Sequence, residues 1–457
     1  MDNNVPNITI VSGGTATNEL VLLFLALTPR VTYVLPILDN GGSTSELIRV
    51  IGGPAIGDIR LRLTRLIPPH QDAYRQLFSY RLSDDPEDAK HQWNQIVEGS
   101  HPLWAPIEPA SREIFRSFLV HVHVELLKRS RHQFMQHPNK KQFRYELANV
   151  GNLFLTGIRL FIGSLDSAIE LFSRLTGIDP SVKVLPCVNT NFTYHISALL
   201  QNGLIITGQS QISHPSTTDR SNYPPPIHIS RPPTPIDESS AEYFHKSHVQ
   251  PHIPEPISDI LSDEEESGNV PQYTHPELKK SQLHFDKSEN ITPLLSPIER
   301  IFYISPYGEE ICPTAPNRVT SNMTSADAII YSIGSLMTSI VPVLILKGVG
   351  RAIAAAKNKK ILLLNGSHDR ETFGMSATDF VETIVKLATY SLNEKNPQPP
   401  KWTTFVTHLI YLTDLEIEVD VEALNKKGIV CVAVERQEGT QYYDTHDLQQ
   451  KLLVLLK

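Results

Sequence analysis

The sequence predicts an α/β fold: a doubly wound, mainly parallel sheet with a helical insertion and a long disordered loop. Three observations carry this. Short apolar, β-branched runs alternate with helical stretches. Glycine-bearing polar loops stand where a strand hands over to a helix. The same grammar appears near the start of the chain and again in its last third, which argues for a parallel sheet covered on both faces.

Taken in order, "NITIV" (7–11) reads as the first strand and "NELVLLFLAL" (18–27) as the first helix. "RVTYVLPIL" (30–38) is a second strand and "STSELIRVI" (43–51) a second helix. Later, "AIIY" (328–331) is a strand, and "VPVLILKGVGRAIAAAKN" (341–358) reads mostly as helix. "KKILLLNGS" (359–367) is a strand, 378–392 a helix and "FVTHLIYL" (405–412) a strand. Residues 419–428 form a helix, 429–434 a strand and 445–457 a terminal helix with a Thr/Asp start.

Two regions depart from this grammar inside a single domain spanning 1–457. Residues 68–150 read as a helical insertion, with Ile114, Phe118, Val122 and Leu126 at helical spacing. Residues 214–298 combine Pro, Ser and acids with few core residues, the composition of a disordered loop. Strand-like segments on either side, "LIITGQSQIS" and "IERIFYIS", make it an interruption and not a boundary. It serves as a tolerated spacer or as a phosphorylation target, with Thr234 and Ser296 before proline and Ser262 before a run of acids.

The 457 residues carry 41 basic and 49 acidic side chains, a net charge of −8 without a dominant basic run, so nucleic acid is not expected as a partner. The first residues show neither a basic nor an apolar leader region. The apolar runs are too short or too interrupted to span a bilayer. Cys187, Cys312 and Cys431 have no metal spacing and suit a reducing compartment. The expectation is a cytoplasmic protein without a membrane partner, and a homo-oligomer is left open.

Four segments could carry chemistry. The first, Ser12 to Asn18, contains Gly13, Gly14 and Thr15. Glycines let backbone N–H groups approach a phosphate, although the segment is neither a Walker loop nor GxGxxG. The second, "DNGGSTS", supplies Asp39, Asn40, Gly41, Gly42 and Ser43. An acid after the second strand suits a ribose hydroxyl or a metal-bound phosphate, while Ser43 with Glu46 matches a capping box. The third places Asp58 and Arg60 at a helix start. Arg62, two residues on, cannot face the same site on that helix, and Arg60 is preferred. The fourth, "SIGSLMTSIVP", offers Gly334, Ser335, Thr338 and Ser339 after a strand. His121 and His123 diverge on their helix and read as structural or solvated.

These blocks, with "NVGNLFLTGI" (149–158) and "GQSQI" (208–212), resemble in their order the CofD/YvcK family of phospholactate transferases and gluconeogenesis factors, nearest its YvcK branch. The resemblance covers roughly 7–213 and 299–450. It implies a Rossmann-like fold that binds a nucleotide diphosphate compound. It also implies either magnesium-dependent phospholactyl transfer or regulation through a UDP-sugar. Carried over, Gly13, Gly14 and Thr15 would line the phosphates, and Asp39 would take the position of the first family aspartate, as metal ligand and catalytic residue. Gly334, Ser335, Thr338 and Ser339 would form a second cradle, with Asn152 in the same crevice. Asn40 stands where the family has a second aspartate, which weakens the magnesium expectation. The two insertions point to a eukaryotic, fungal-type member.

Overall fold

The computed structural model describes residues 5–38, 42–136, 142–213, 293–305, 307–392, 399–413 and 416–457. Among these residues eleven strands form two sheets. In chain order they are β1 (Asn7–Val11), β2 (Arg30–Leu35), β3 (Lys183–Pro186), β4 (His195–Leu200), β5 (Ile205–Thr207), β6 (Ile298–Ile304), β7 (Glu310–Ile311), β8 (Ala328–Tyr331), β9 (Lys359–Leu363), β10 (His408–Leu412) and β11 (Val430–Val434).

Seven strands make a sheet of order β11-β10-β9-β8-β1-β2-β3, and every pair in it is parallel. Strand β1 is the pivot. From it the chain winds one way to β2 and β3, then returns to β8 on its other side and winds away through β9, β10 and β11. The expected doubly wound fold is therefore present, and its switch point lies between β1 and β8. Ligand crevices of open α/β sheets form outside the carboxyl ends of strands at such points. The central strands are apolar on both faces, as a sheet covered by helices requires; Ile8, Ile10, Val11, Ala328, Ile330 and Tyr331 are fully buried.

Strands β4 to β7 form a second, antiparallel sheet of order β5-β4-β6-β7 that the sequence reading did not separate from the first. Ile298, the last residue assigned to the Pro/Ser/acid insertion, is the first residue of β6 and pairs with Leu200. Residues 214–292 of that insertion lie outside the described residues, with Thr234 and Ser262 among them.

The region 68–150 is helical, with helices at Asp72–Ser79, Pro86–Glu98 and Pro109–Gln136. The buried stripe of the longest is one residue out of phase with the expected one at its start. Phe115, Leu119, Val122 and Leu126 are buried, while Ile114 is 44% exposed. Phe115 packs against Tyr74, Phe78 and Phe154. The aromatic core of the neighbouring helices thus sets the phase that a helix apolar on several faces leaves ambiguous. His123 accepts a hydrogen bond from Trp93 Nε1 at 2.9 Å, and His121 lies edge-on to Phe161. Both histidines are structural.

The expected helix at 341–358 is broken. A wide π-type turn at Leu336–Ile340 leads into Val341–Leu344, and a new helix runs Val349–Ala355. Between them Lys347 pairs with the segment at 313–315, and Gly348 takes φ +92°. Tertiary backbone pairing has replaced the local helical bonds there. No helix among the described residues is long and apolar enough to cross a membrane.

Candidate functional site

Register brings the strand ends together. Val11 pairs with Val34 on one side and Tyr331 on the other. Ser12 N–H then donates to Val34 and Ser332 N–H to Val11. The loops after β1 and β8 consequently leave the sheet side by side, and Thr17 Oγ1 ties them by reaching Ser332 Oγ at 3.0 Å and the Ile333 carbonyl at 2.9 Å.

The first loop is held from beneath by Arg62. Its Nη2 donates to the carbonyl oxygens of Gly13 at 3.0 Å and Gly14 at 3.4 Å. In a trans peptide the carbonyl and the following N–H point in opposite directions. With both carbonyls turned down onto Arg62, the N–H groups of Gly14 and Thr15 face the other way, and neither has an acceptor among the described residues. Adjacent backbone N–H groups without an acceptor are the donors from which anion-binding concavities are built. The glycines are required by space. A Cβ on Gly14 would sit 1.9 Å from Asp58 Oδ1, and one on Gly13 would sit 2.4 Å from Ser339 Oγ. Asn18 is half-buried, and its Oδ1 has no partner among the described residues.

Arg62, fully buried, stacks on the Tyr33 ring with its guanidinium carbon 4.5 Å from the centroid. Burial lowers its pKa, while the neighbouring Tyr33 and Asp58 favour its charge. The sequence reading set Arg62 aside for Arg60. Both are used, because the Gly57–Leu66 helix lies between two elements. Arg62 faces the glycine loop. Arg60 faces the Val150–Ile162 helix, where its Nε donates to Asn152 Oδ1 at 3.0 Å. Burial first, then Arg81, pulls the Arg60 pKa down to about 10, which still leaves it cationic at neutral pH.

Asn152 passes the contact on, its Nδ2 donating to Ser43 Oγ at 2.5 Å. Ser43 lies inside the Gly42–Val50 helix, and Glu46 is engaged by Arg49 and the Arg144 backbone. Among the described residues the expected capping box is not formed: the serine is bound by Asn152 and the acid by arginines. Asp39, Asn40 and Gly41 lie outside the described residues. Gly42 opens the helix, and Thr44 packs against Gly57.

The second loop follows β8. Gly334 takes φ +132°, a conformation open to glycine. Asn365, just after β9, clamps its peptide groups: Gly334 N–H donates to Asn365 Oδ1 at 3.0 Å, and Asn365 Nδ2 donates to the Gly334 carbonyl at 2.8 Å. The same peptide geometry turns Ser335 N–H away from Asn365, again with no acceptor among the described residues. Ser335 Oγ accepts from Thr338 N–H at 3.0 Å. Below it sits Glu371. Its carboxyl accepts from Thr338 Oγ1 at 3.0 Å and from the hydroxyls of Ser335 and Ser213. Burial, followed by Asp369, raises the Glu371 pKa to about 7, against the opposing pull of the three hydroxyls.

Gly13, Gly14, Asp58 and Ser339 thus form one group of contacts, and Arg60, Asn152 and Ser43 a second on the other face of the Gly57–Leu66 helix. Thr15 is exposed above the first group, and Gly334 and Ser335 stand beside it. Thr338 faces inward to Glu371. Asn365, Glu371 and Ser213 belong to no motif singled out in the sequence, and Arg62 ranks there below Arg60. The "LLLNGSHDRE" stretch carried a usable signal, an apolar strand ending in Asn-Gly-Ser like the other loops.

Among the described residues no three acids, histidines or cysteines gather as a metal cage. Magnesium, however, is commonly held by one or two carboxylates together with substrate phosphates. Asp58, whose carboxylate lies against Gly14 beside the outward N–H groups, fits that mode.

The molecule is thus a doubly wound α/β protein whose switch point is flanked by two loops with their carbonyls tied down by Arg62 and Asn365. The chain belongs to the 2-phospho-L-lactate transferase CofD family, which matches residues 8–441. It is 44% identical over 442 residues to the uncharacterized protein YNL011C of Saccharomyces cerevisiae, spanning 93% of this chain and 94% of that one. Protein BH3568 of Bacillus halodurans superposes with a TM-score of 0.56 at 17% identity over 98% of this chain and 99% of that one. A second crystal structure of BH3568, described as a member of the UPF0052 family, gives 0.56 at 16% identity over 99% and 100%. At such identities the likeness shows the shared fold.

Proposed function

We propose that the switch-point crevice binds the diphosphate of a nucleotide compound and that the protein transfers a phospholactyl-type group from it. The observation that carries this reading is the outward turn of the Gly14, Thr15 and Ser335 N–H groups, fixed by Arg62 and Asn365. Donors aimed at phosphate oxygens and held in place beforehand stabilise charge that grows in a phosphoryl-transfer transition state. Arg60, on the other face of the same helix, holds Asn152 against Ser43. A divalent cation held by Asp58, and by Asp39 on the family resemblance, would neutralise charge on the bridging phosphate oxygens.

A second reading is a non-catalytic UDP-sugar-binding regulator. Asn40 favours it, since a sensor needs no acid pair beside Asp39. Calorimetric titration with GDP, GDP-mannose, UDP and UDP-glucose, with and without magnesium, tests both. Binding at micromolar to millimolar concentration is expected. Binding of guanosine compounds that depends on magnesium supports the transferase, magnesium-independent binding of UDP-glucose supports the regulator, and no binding by any of them removes both.

A further inference from the structure

Glu371 is the one acid among the described residues buried against the strand-end loops from the β9 side, and nothing in the proposed chemistry uses it. It is 5% exposed, and three hydroxyls from three segments converge on it: Ser335 from the loop after β8, Thr338 from the turn that follows, and Ser213 from the short Gln209–Ser213 helix. A single residue, Ser335, therefore offers its backbone N–H to the crevice and its hydroxyl to a buried carboxyl. Among the described residues the other titratable or charged groups near it stand on its own loop, one of them His368, whose ring lies against Phe373. With it stand Asp369, whose carboxylate is occupied by the 371–372 backbone and Thr372, and Arg370, which reaches the Gln211 carbonyl. The Gln209–Ser213 helix and the Ser335–Ile340 turn contribute only amides, hydroxyls and apolar side chains.

We infer that Glu371 is a proton site coupled to anion binding at Ser335: a diphosphate that settles on the Ser335 N–H drives Glu371 to take up a proton. This rests on the diphosphate reading of the crevice. The physical reason is like-charge repulsion across one residue in a dry site, which disfavours a carboxylate beside an arriving phosphate. Protonation relieves it without breaking the network. The neutral carboxyl donates one hydrogen bond, one hydroxyl reverses to accept it, and the other two still donate. Burial already holds the carboxyl near its midpoint at about pH 7 in the free protein, so the proton is taken up with little cost. By linkage, affinity then weakens as pH rises above that midpoint and levels off below it.

The test uses the full chain and UDP-glucose or GDP-mannose, whose diphosphates carry no group that titrates near neutrality. Calorimetry at pH 8 in buffers of different ionisation enthalpy counts the protons exchanged. The wild type is expected to take up close to one, and its affinity to fall about tenfold per pH unit above pH 7. Glu371→Gln is expected to bind without uptake and without that slope. Binding with no proton uptake by the wild type overturns the inference and leaves the diphosphate reading standing. Uptake that persists in Glu371→Gln overturns the assignment to this residue. Absence of binding at every pH overturns both. The proton count on the wild type needs no variant, so a poorly folded Glu371→Gln protein does not spare the inference.

Discussion

Arg62 Nη2 lies 3.0 Å from the carbonyl oxygen of Gly13, in the interior and beneath the loop that the sequence marks as a phosphate cradle. A buried guanidinium is costly unless it is well used, and two of its nitrogens, Nε and Nη1, have no hydrogen-bond partner among the described residues. Its remaining contacts are the loop carbonyls, the Tyr33 face and the nearby Asp58 charge. That is the environment of a residue kept for the shape it imposes on a backbone.

Arg62→Lys is therefore expected to do two things. A point charge on a thinner stem cannot stack on Tyr33 or hold both carbonyls, so stability should fall by about 1–3 kcal/mol. The freed carbonyls can turn into the crevice, so nucleotide affinity should fall at least about tenfold, the equivalent of 1.4 kcal/mol. Arg60→Lys, on the other face, should weaken binding with less than about 1 kcal/mol lost in stability, because Arg60 is less enclosed. Denaturant titration and calorimetry separate the two effects. Unchanged affinity in folded Arg62→Lys would show that the tether does not shape the site.

The two glycines under the cradle should differ. At Gly13 a new Cβ meets Ser339, with Oγ at 2.4 Å and Cβ at 3.0 Å, and Asp58 Oδ2 only at 3.9 Å; the serine hydroxyl, its worst contact, can rotate away. At Gly14 it meets Asp58 at Oδ1, Cγ and Cβ, the last at 2.9 Å, so the Gly57–Leu66 helix itself must retreat. Gly14→Ala is expected to cost about 1–3 kcal/mol, as overpacking does, and Gly13→Ala less. Melting curves of the two variants check the order, and equal losses would contradict the packing described.

Much of the sheet is legible in the sequence because its strands are apolar runs punctuated by glycine loops, a pattern that local propensity alone produces. The second sheet is not. Strand β7 has two residues and β5 three, too few to show a period, and β6 resumes far along the chain from β5. The cradle glycines could be named from their loops, whereas the side chains that turn their peptides could not. Arg62 and Arg60 lie on opposite faces of one helix, and only the packing of that helix between two elements shows that both faces are in use. Glu371 reaches Ser213 and Ser335 across 158 and 36 residues, a convergence that no local pattern records.

The phase of the Pro109–Gln136 helix gives a third prediction. Phe115 is 1% exposed within an aromatic cluster, and Ile114 beside it is 44% exposed. Phe115→Ala should cost about 3–5 kcal/mol, and Ile114→Ala should stay within about 0.5 kcal/mol. A reversed order in chemical denaturation would place the other stripe in the core.

The last prediction concerns two buried groups that pull stability in opposite directions over one pH window. Glu371 has its pKa raised from 4.5 to about 7, so the folded protein holds a proton that the unfolded chain has released. Its contribution is fully present below about pH 4.5 and is lost as pH rises to 7, roughly 3 kcal/mol in all. His195, on β4, has its pKa lowered from 6.5 to about 4 by burial, so the unfolded chain binds the proton first. Its contribution is present above pH 6.5 and is lost as pH falls to 4, again roughly 3 kcal/mol. Between about pH 4.5 and 6.5 the two slopes oppose each other, and the wild type should show a shallow profile there. Glu371→Gln removes one slope, so the variant should gain stability relative to the wild type as pH rises from 5 to 8 and should lose it steeply in acid. His195→Gln removes the other and should lose stability as pH rises from 4.5 to 7. Unfolding free energies from denaturant titration at half-unit pH steps give the three profiles. A constant penalty from either substitution shifts a whole profile without changing its shape, whereas parallel profiles for all three proteins would refute the two opposed slopes.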